Sequence, residues 1–75
     1  MNTAEFIDKF AEALEIENAS ELSETTEFRK MAEWDSLAYL NIIAMLDEEY
    51  DIQIETPEFK KLQTIGDIIA FIEKH

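Results

Sequence analysis

Apolar residues recur at helical three- and four-residue steps in several stretches of the chain. Phe6, Ile7, Phe10, Ala13 and Leu14 predict an amphipathic first helix, with Asn2 or Thr3 as N-cap and an end near Ile16. The period then lapses. Glu17 to Trp34 is rich in Ser, Thr, Asn and Glu and carries only scattered Leu22, Phe28, Met31 and Trp34, which could pin it to a core. It reads as a long loop, and structureless loops of this length are usually functional or mobile. Leu37, Leu40, Ile43 and Leu46 predict a second helix from about Ser36 to Tyr50, opened by Asp35 or Ser36 as N-cap. In Asp51 to Glu55, Ile52 and Ile54 alternate with polar neighbours, but no second strand is available for pairing, so the segment is expected to be a loop. Thr56-Pro57 reads as an N-cap followed by proline at the first helical position, opening a short third helix through about Leu62. Thr64-Ile65-Gly66-Asp67 predicts a capping box for a last helix that carries Ile65, Ile68, Ile69 and Ile72 on one face. The pattern predicts an all-α four-helix bundle in one domain over residues 1–75.

The second helix has two faces. With Ser36 at zero and about 100° per residue, Ile42, Leu46, Tyr39, Tyr50 and Ile43 fall between about 240° and 340°, an apolar stripe suited to the core. Leu37, Leu40, Asn41, Ala44, Asp47 and Glu48 fall between about 20° and 140°, beside Ser36. One stripe is enough to join a bundle, so a second patch mixing apolar residues with acids suggests a docking surface. The plainer alternative is that Leu37 and Leu40 widen the core stripe.

Charge sharpens this picture. Eighteen acids against six bases give a formal charge of -12, which argues against nucleic acid, whose binding draws on Lys and Arg, and against anionic membranes. From Met31 to Phe59 stand Glu33, Asp35, Asp47, Glu48, Glu49, Asp51, Glu55 and Glu58 with no base among them. Such a stretch should attract basic partners. The 47% apolar content, five Phe included, is too high for a disordered chain. The N-terminus Met1-Asn2-Thr3-Ala4-Glu5 lacks the basic and apolar pattern of a leader, no apolar run is long enough for a membrane span, and a cytoplasmic monomer is expected.

Candidate chemistry is sparse. There is no cysteine, so thiol chemistry would require a prosthetic group. The single histidine, His75, is the last residue, where a frayed terminus cannot position a general base. No metal-ligand spacing appears, and Ile52 stands where an EF-hand starting at Asp47 needs glycine. An enzyme is therefore not expected.

Asp35-Ser36-Leu37, at the start of the second helix and after a long polar loop, resembles the Asp-Ser-Leu modification motif of acyl carrier proteins. The likeness extends over the first helix, the Glu17 to Trp34 loop, the acidic Asp47-Glu48-Glu49-Tyr50-Asp51 close, the short third helix and the Leu62-Gln63-Thr64-Ile65 lead into the last. It implies a bundle of acyl-carrier type in which the Ser36 hydroxyl receives 4′-phosphopantetheine from coenzyme A and the arm's thiol carries acyl or aminoacyl groups as thioesters. It further implies that Asp35 helps a phosphopantetheinyl transferase recognise the site. Leu37, Leu40, Asn41, Ala44, Asp47 and Glu48 would then meet the transferase and acyl-transferring or condensing enzymes with basic docking surfaces. Glu33-Trp34 precede the motif where the family usually has a glycine two residues before it, and Ala38 stands where fatty-acid-synthesis carriers usually place an acid. These departures favour a specialised carrier, for polyketide, nonribosomal peptide or surface-saccharide chemistry, over the fatty-acid one that the resemblance also allows. The rival reading is an unmodified acidic interaction module using the same face.

Overall fold

The computed structural model describes residues 2–75; Met1, where the leader reading starts, lies outside them. Four α-helices form the bundle: α1 Thr3–Ala13, α2 Ser36–Tyr50, α3 Thr56–Phe59 and α4 Ile65–Glu73. No strand occurs among the described residues, and no helix is long and apolar enough to cross a membrane.

The core is built from the residues whose periodicity marked them. Phe6 and Phe10 from α1, Ile42 and Leu46 from α2, and Ile65 and Ile68 from α4 are fully buried. Burial of this apolar surface is the main driving force for folding. Ala38 and Met45 join the core stripe of α2, at 4% and 8% exposure. Both sit at the edge of that stripe, outside the angular range the sequence had marked.

Asn2 caps α1 by accepting a hydrogen bond from the Glu5 N–H at 3.1 Å. The helix ends at Ala13, earlier than the expected Ile16, because Glu15 turns the chain in the left-handed region (φ 58°). The Ile16 N–H then donates to Ala11 O at 2.8 Å and the Glu15 N–H to Glu12 O at 3.1 Å, the paired bonds of a Schellman close. Asp51 ends α2 in the same conformation (φ 55°), with the Ile52 N–H reaching back to Leu46 O at 3.1 Å. Acids occupy two positions that ordinarily favour glycine, each at a cost of about 1–2 kcal/mol in local strain. The Asp51 turn delivers Ile52 and Ile54 into the core, both 8% exposed, along the loop expected there.

The long loop is packed rather than loose. Two 3-10 turns, Ala19–Glu21 and Phe28–Lys30, interrupt it, and Phe28 is fully buried, with Leu22, Met31 and Trp34 half-buried against the core. Its backbone also docks on α4: Thr26 O accepts from the Ile65 N–H at 3.0 Å and Glu24 O from the Gly66 N–H at 2.8 Å. A Cβ at Gly66 would stand 2.9 Å from Glu24 O, so the close approach of loop to helix explains the chain's one glycine. The radius of gyration, 11.1 Å, is the ~11 Å expected for a compact chain of this length.

Thr64 and Asp67 form the expected capping box of α4. The Asp67 N–H donates to Thr64 Oγ1 at 3.1 Å, while Asp67 Oδ2 accepts from the Thr64 N–H at 3.1 Å and the Gln63 N–H at 2.8 Å. Those backbone donors hold the Asp67 carboxyl below the usual carboxylate range, the Gln63 N–H contributing most. A depressed folded-state pKa stabilises the fold above the ordinary carboxylate range and loses that contribution as pH falls through the folded value. Asp67→Asn should therefore lower the melting temperature at neutral pH, and the gap from wild type should narrow in acid. A gap that is the same at both ends of an acid titration would remove the carboxylate's role.

The third helix corrects one expectation. Its N-cap is Glu55 rather than Thr56, and the helix ends at Phe59, with single turns carrying the chain on to Leu62. The Thr56 hydroxyl is instead 3.0 Å from that of Tyr39, tying α3 to α2. Arg29 secures the other end, with Nε donating to Leu62 O at 2.8 Å and Nη2 donating to Phe59 O. A cation at the carbonyl end of a helix meets its negative pole.

Candidate functional site at the start of the second helix

Asp35 has extended backbone and caps α2, its Oδ1 accepting from the Ala38 N–H at 2.7 Å and its carbonyl from the Tyr39 N–H at 3.0 Å. Ser36 is thereby the first helical residue and is exposed. At a helix start, the Ser36 and Leu37 N–H groups precede the first residue able to bond within the helix, and with the positive end of the helix dipole they favour an anion near the Ser36 hydroxyl. The site residues fit a phosphodiester on that oxygen: Ser36 is exposed and no carboxylate but Asp35 lines the adjoining groove, that carboxylate accepting from the Ala38 N–H.

The two-faced reading of α2 holds in the structure. Leu37 and Leu40 are 65% and 59% exposed, the large apolar side chains that stand out on the described surface, whereas Ile42 and Leu46 on the other face are fully buried. Asn41, Ala44, Asp47 and Glu48 are exposed as well, continuing the strip from Ser36 down the helix. From residue 36 to residue 48 such a strip runs ~18 Å at the helical rise of ~1.5 Å per residue. Asn41 has a structural contact too, its amide donating to Ala13 O at 3.2 Å and closing the end of α1. Near it, Glu48 and Ala44 border an open cleft of about 550 Å³ between α1 and α2, where Lys9 bridges Glu5 and Glu49, each at 3.2 Å. Those two carboxylates, Glu49 first, raise the Lys9 pKa above its ordinary value.

His75 is remote from this site in the sequence and occupied locally, its Nδ1 2.8 Å from Phe71 O and its ring stacked on Phe71. No group of three or more His, Cys, Asp or Glu side chains among the described residues is placed to hold a metal ion.

On the other side of Ser36 lies a groove of about 390 Å³ lined by Arg29, Trp34, Asp35, Ser36, Tyr39, Thr56, Phe59 and Lys60. Trp34 stacks on Phe59 (6.1 Å between centroids, 12° between planes) and meets Phe28 edge-on at 4.8 Å, while Tyr39 meets Phe59 edge-on at 5.2 Å. The Arg29 guanidinium lies 5.1 Å from both the Phe28 and Phe59 ring centroids. Sequence reasoning missed this groove. Its one signal in the sequence was that Arg29-Lys30 and Lys60-Lys61 flank the base-free stretch from Met31 to Phe59.

Known proteins resemble this chain over most of its length. The sequence model of the phosphopantetheine attachment site family matches residues 4–72. An acyl carrier protein of Chlamydia felis is 36% identical over 56 residues, which cover 75% of this chain and 72% of that one. One from Streptococcus thermophilus is 39% identical over 57 residues, covering 76% and 73%. One from Lactobacillus acidophilus is 29% identical over 68 residues, covering 91% and 84%.

Proposed function

This chain belongs to the acyl carrier protein family, and on that premise we propose that Ser36 is the residue that bears the prosthetic group. The protein is an acyl carrier, and its covalent 4′-phosphopantetheine supplies a terminal thiol on which acyl groups travel as thioesters. In the proposed loading step the Ser36 hydroxyl oxygen bonds to the phosphorus that bears the pantetheine of coenzyme A. The pyrophosphate P–O bond breaks, adenosine 3′,5′-bisphosphate leaves, and the hydroxyl proton passes to a base of the transferase. Asp35 fixes the turn that presents the hydroxyl. The role of this chain is delivery, and the chemistry belongs to its partners.

Leu37, Leu40, Asn41, Ala44, Asp47 and Glu48 form the proposed partner face, for the transferase and for acyl-transferring or condensing enzymes with basic surfaces. The observation that carries this reading is the exposure of Leu37 and Leu40 beside Ser36 on a helix whose opposite face buries Ile42 and Leu46 completely. Asp47, Glu48 and Glu49 stand at the negative end of the helix dipole, where acids are unfavourable, which supports selection for recognition rather than stability. The buried position of Ala38 leaves little room for a solvated acid there and supports a specialised carrier over a fatty-acid one.

Incubation of the protein with coenzyme A and a broad-specificity transferase should add one phosphopantetheine by intact mass. No addition under several transferases would leave the unmodified interaction module as the better account. Charge reversal tests the face itself. Asp47→Lys with Glu48→Lys should leave the helical circular dichroism intact, since surface substitutions usually change stability by no more than ~0.5 kcal/mol. Loading should slow, and the deficit should shrink as salt rises, because lost charge attraction acts mainly on association. Leu46→Ala, on the buried face, should instead destabilise the fold by ~2–5 kcal/mol. If the reversal unfolds the protein while Leu46→Ala is harmless, the two faces are inverted.

A further inference from the structure

The base-free stretch from Met31 to Phe59 is bounded by two pairs of bases, Arg29-Lys30 and Lys60-Lys61, and the fold brings both pairs to the carbonyl end of α3. Arg29 makes the join, its guanidinium donating to Phe59 O and Leu62 O on either side of Lys60-Lys61. Four of the six bases of a chain of charge -12 thus meet at one corner. We propose that Lys60 and Lys61, backed by Arg29 and Lys30, are a second docking surface, which receives an acidic surface of the enzyme that loads Ser36. The inference rests on the reading of Ser36 and the α2 strip as the place where that enzyme docks.

Local structure does not account for the two lysines. A cation at the carbonyl end of a helix is favourable, but at α3 that place is taken by Arg29. Lys60 and Lys61 are exposed, and neither pairs with an acid among the described residues, whereas Lys9 and Lys30 are paired with glutamates. Lys60 borders the same groove as Ser36 and Tyr39, on the side of α2 away from Leu37 and Leu40. Ser36 is therefore flanked by charge of opposite sign, negative along α2 and positive at the end of α3. An enzyme centred on Ser36 meets both. A basic surface that suits Asp47 and Glu48 is repelled by Lys60 and Lys61, and like charges facing each other across an interface are costly, so complementarity calls for acids on the α3 side. A two-signed footprint also sets the rotation of the enzyme about Ser36, which an acidic strip alone leaves open.

The test is a change of sign, read with a transferase that loads the wild type. Lys60→Glu with Lys61→Glu makes the chain more acidic still, so an enzyme that is basic throughout its docking surface should load it as fast or faster. The proposal predicts the reverse: at low salt kcat/KM for the carrier falls roughly fivefold or more, the scale of two exposed charge contacts turned repulsive, and recovers as salt rises. The KM for coenzyme A should not change. Lys60→Gln with Lys61→Gln should fall between wild type and the reversal, and Lys74→Glu, beyond the end of α4, should not slow loading. Circular dichroism melting of each variant separates a docking defect from an unfolded chain. Loading of the double reversal at or above the wild-type rate overturns the proposal, as does an equal deficit in Lys74→Glu, or a deficit that lies in the KM for coenzyme A. Failure of the underlying reading shows separately, as a wild type that takes no arm or as Asp47→Lys with Glu48→Lys that loads at full rate.

Discussion

Phe28→Ala should destabilise the protein by ~3–5 kcal/mol, the usual cost of truncating a buried phenylalanine, which is a large share of the ~5–15 kcal/mol available to a small domain. The residue lies in what the sequence marks as loop, yet its ring is fully buried. It meets Phe10 at 6.0 Å, Trp34 at 4.8 Å and Phe59 at 5.7 Å, so one side chain joins α1, the approach to Ser36, and α3. Its loss removes the edge-on support of Trp34 and the ring beside the Arg29 guanidinium. Urea unfolding followed by far-ultraviolet circular dichroism measures the loss, and Trp34 emission in the folded variant should shift as the ring loses its neighbour. A loss below about 1 kcal/mol, within the range of ordinary surface substitutions and mild repacking, would mean that the loop merely drapes over the core.

That result would bear on how far a periodic pattern can be read. The helices were legible because their apolar residues repeat at the helical period and because Asn2, Asp35 and Thr64 announce three of the four starts with local side-chain caps. The separation of Leu37 and Leu40 from Ile42 and Leu46 was legible for the same reason. What escaped depends on contacts distant in sequence. Thr56 looked like a cap, but its hydroxyl is engaged by Tyr39 on another helix. Arg29 drew no reading from the sequence, because its bonds to Phe59 O and Leu62 O span about thirty residues of chain. The turn at Glu15 was hidden because an acid occupies the left-handed conformation there, where glycine would have signalled the end of the helix, whereas the end of α2 at Tyr50 was legible although Asp51 adopts the same conformation. The place of Ser36 at the exposed start of α2 was legible from the sequence, while the groove beside it required Arg29, Trp34 and Lys60 to be brought together by the fold.

The remaining prediction has an all-or-none outcome. Ser36→Ala should accept no phosphopantetheine, because no other hydroxyl combines solvent exposure with the start of a long helix and the Asp35 cap. Ser20 and Ser23 are exposed in the loop, but the Ser20 hydroxyl is committed to Asn18 and that of Ser23 to Thr25. Alanine at Ser36 should leave the fold intact, since Asp35 still caps through its own carboxylate and alanine is the best helix former. A melting curve equal to that of the wild type therefore separates loss of the site from loss of structure. The decisive measurement is intact mass after exhaustive incubation with transferase and coenzyme A, run on wild type, Ser20→Ala, Ser23→Ala and Ser36→Ala. The account predicts one added arm on the first three and none on folded Ser36→Ala; an arm on Ser36→Ala would contradict it.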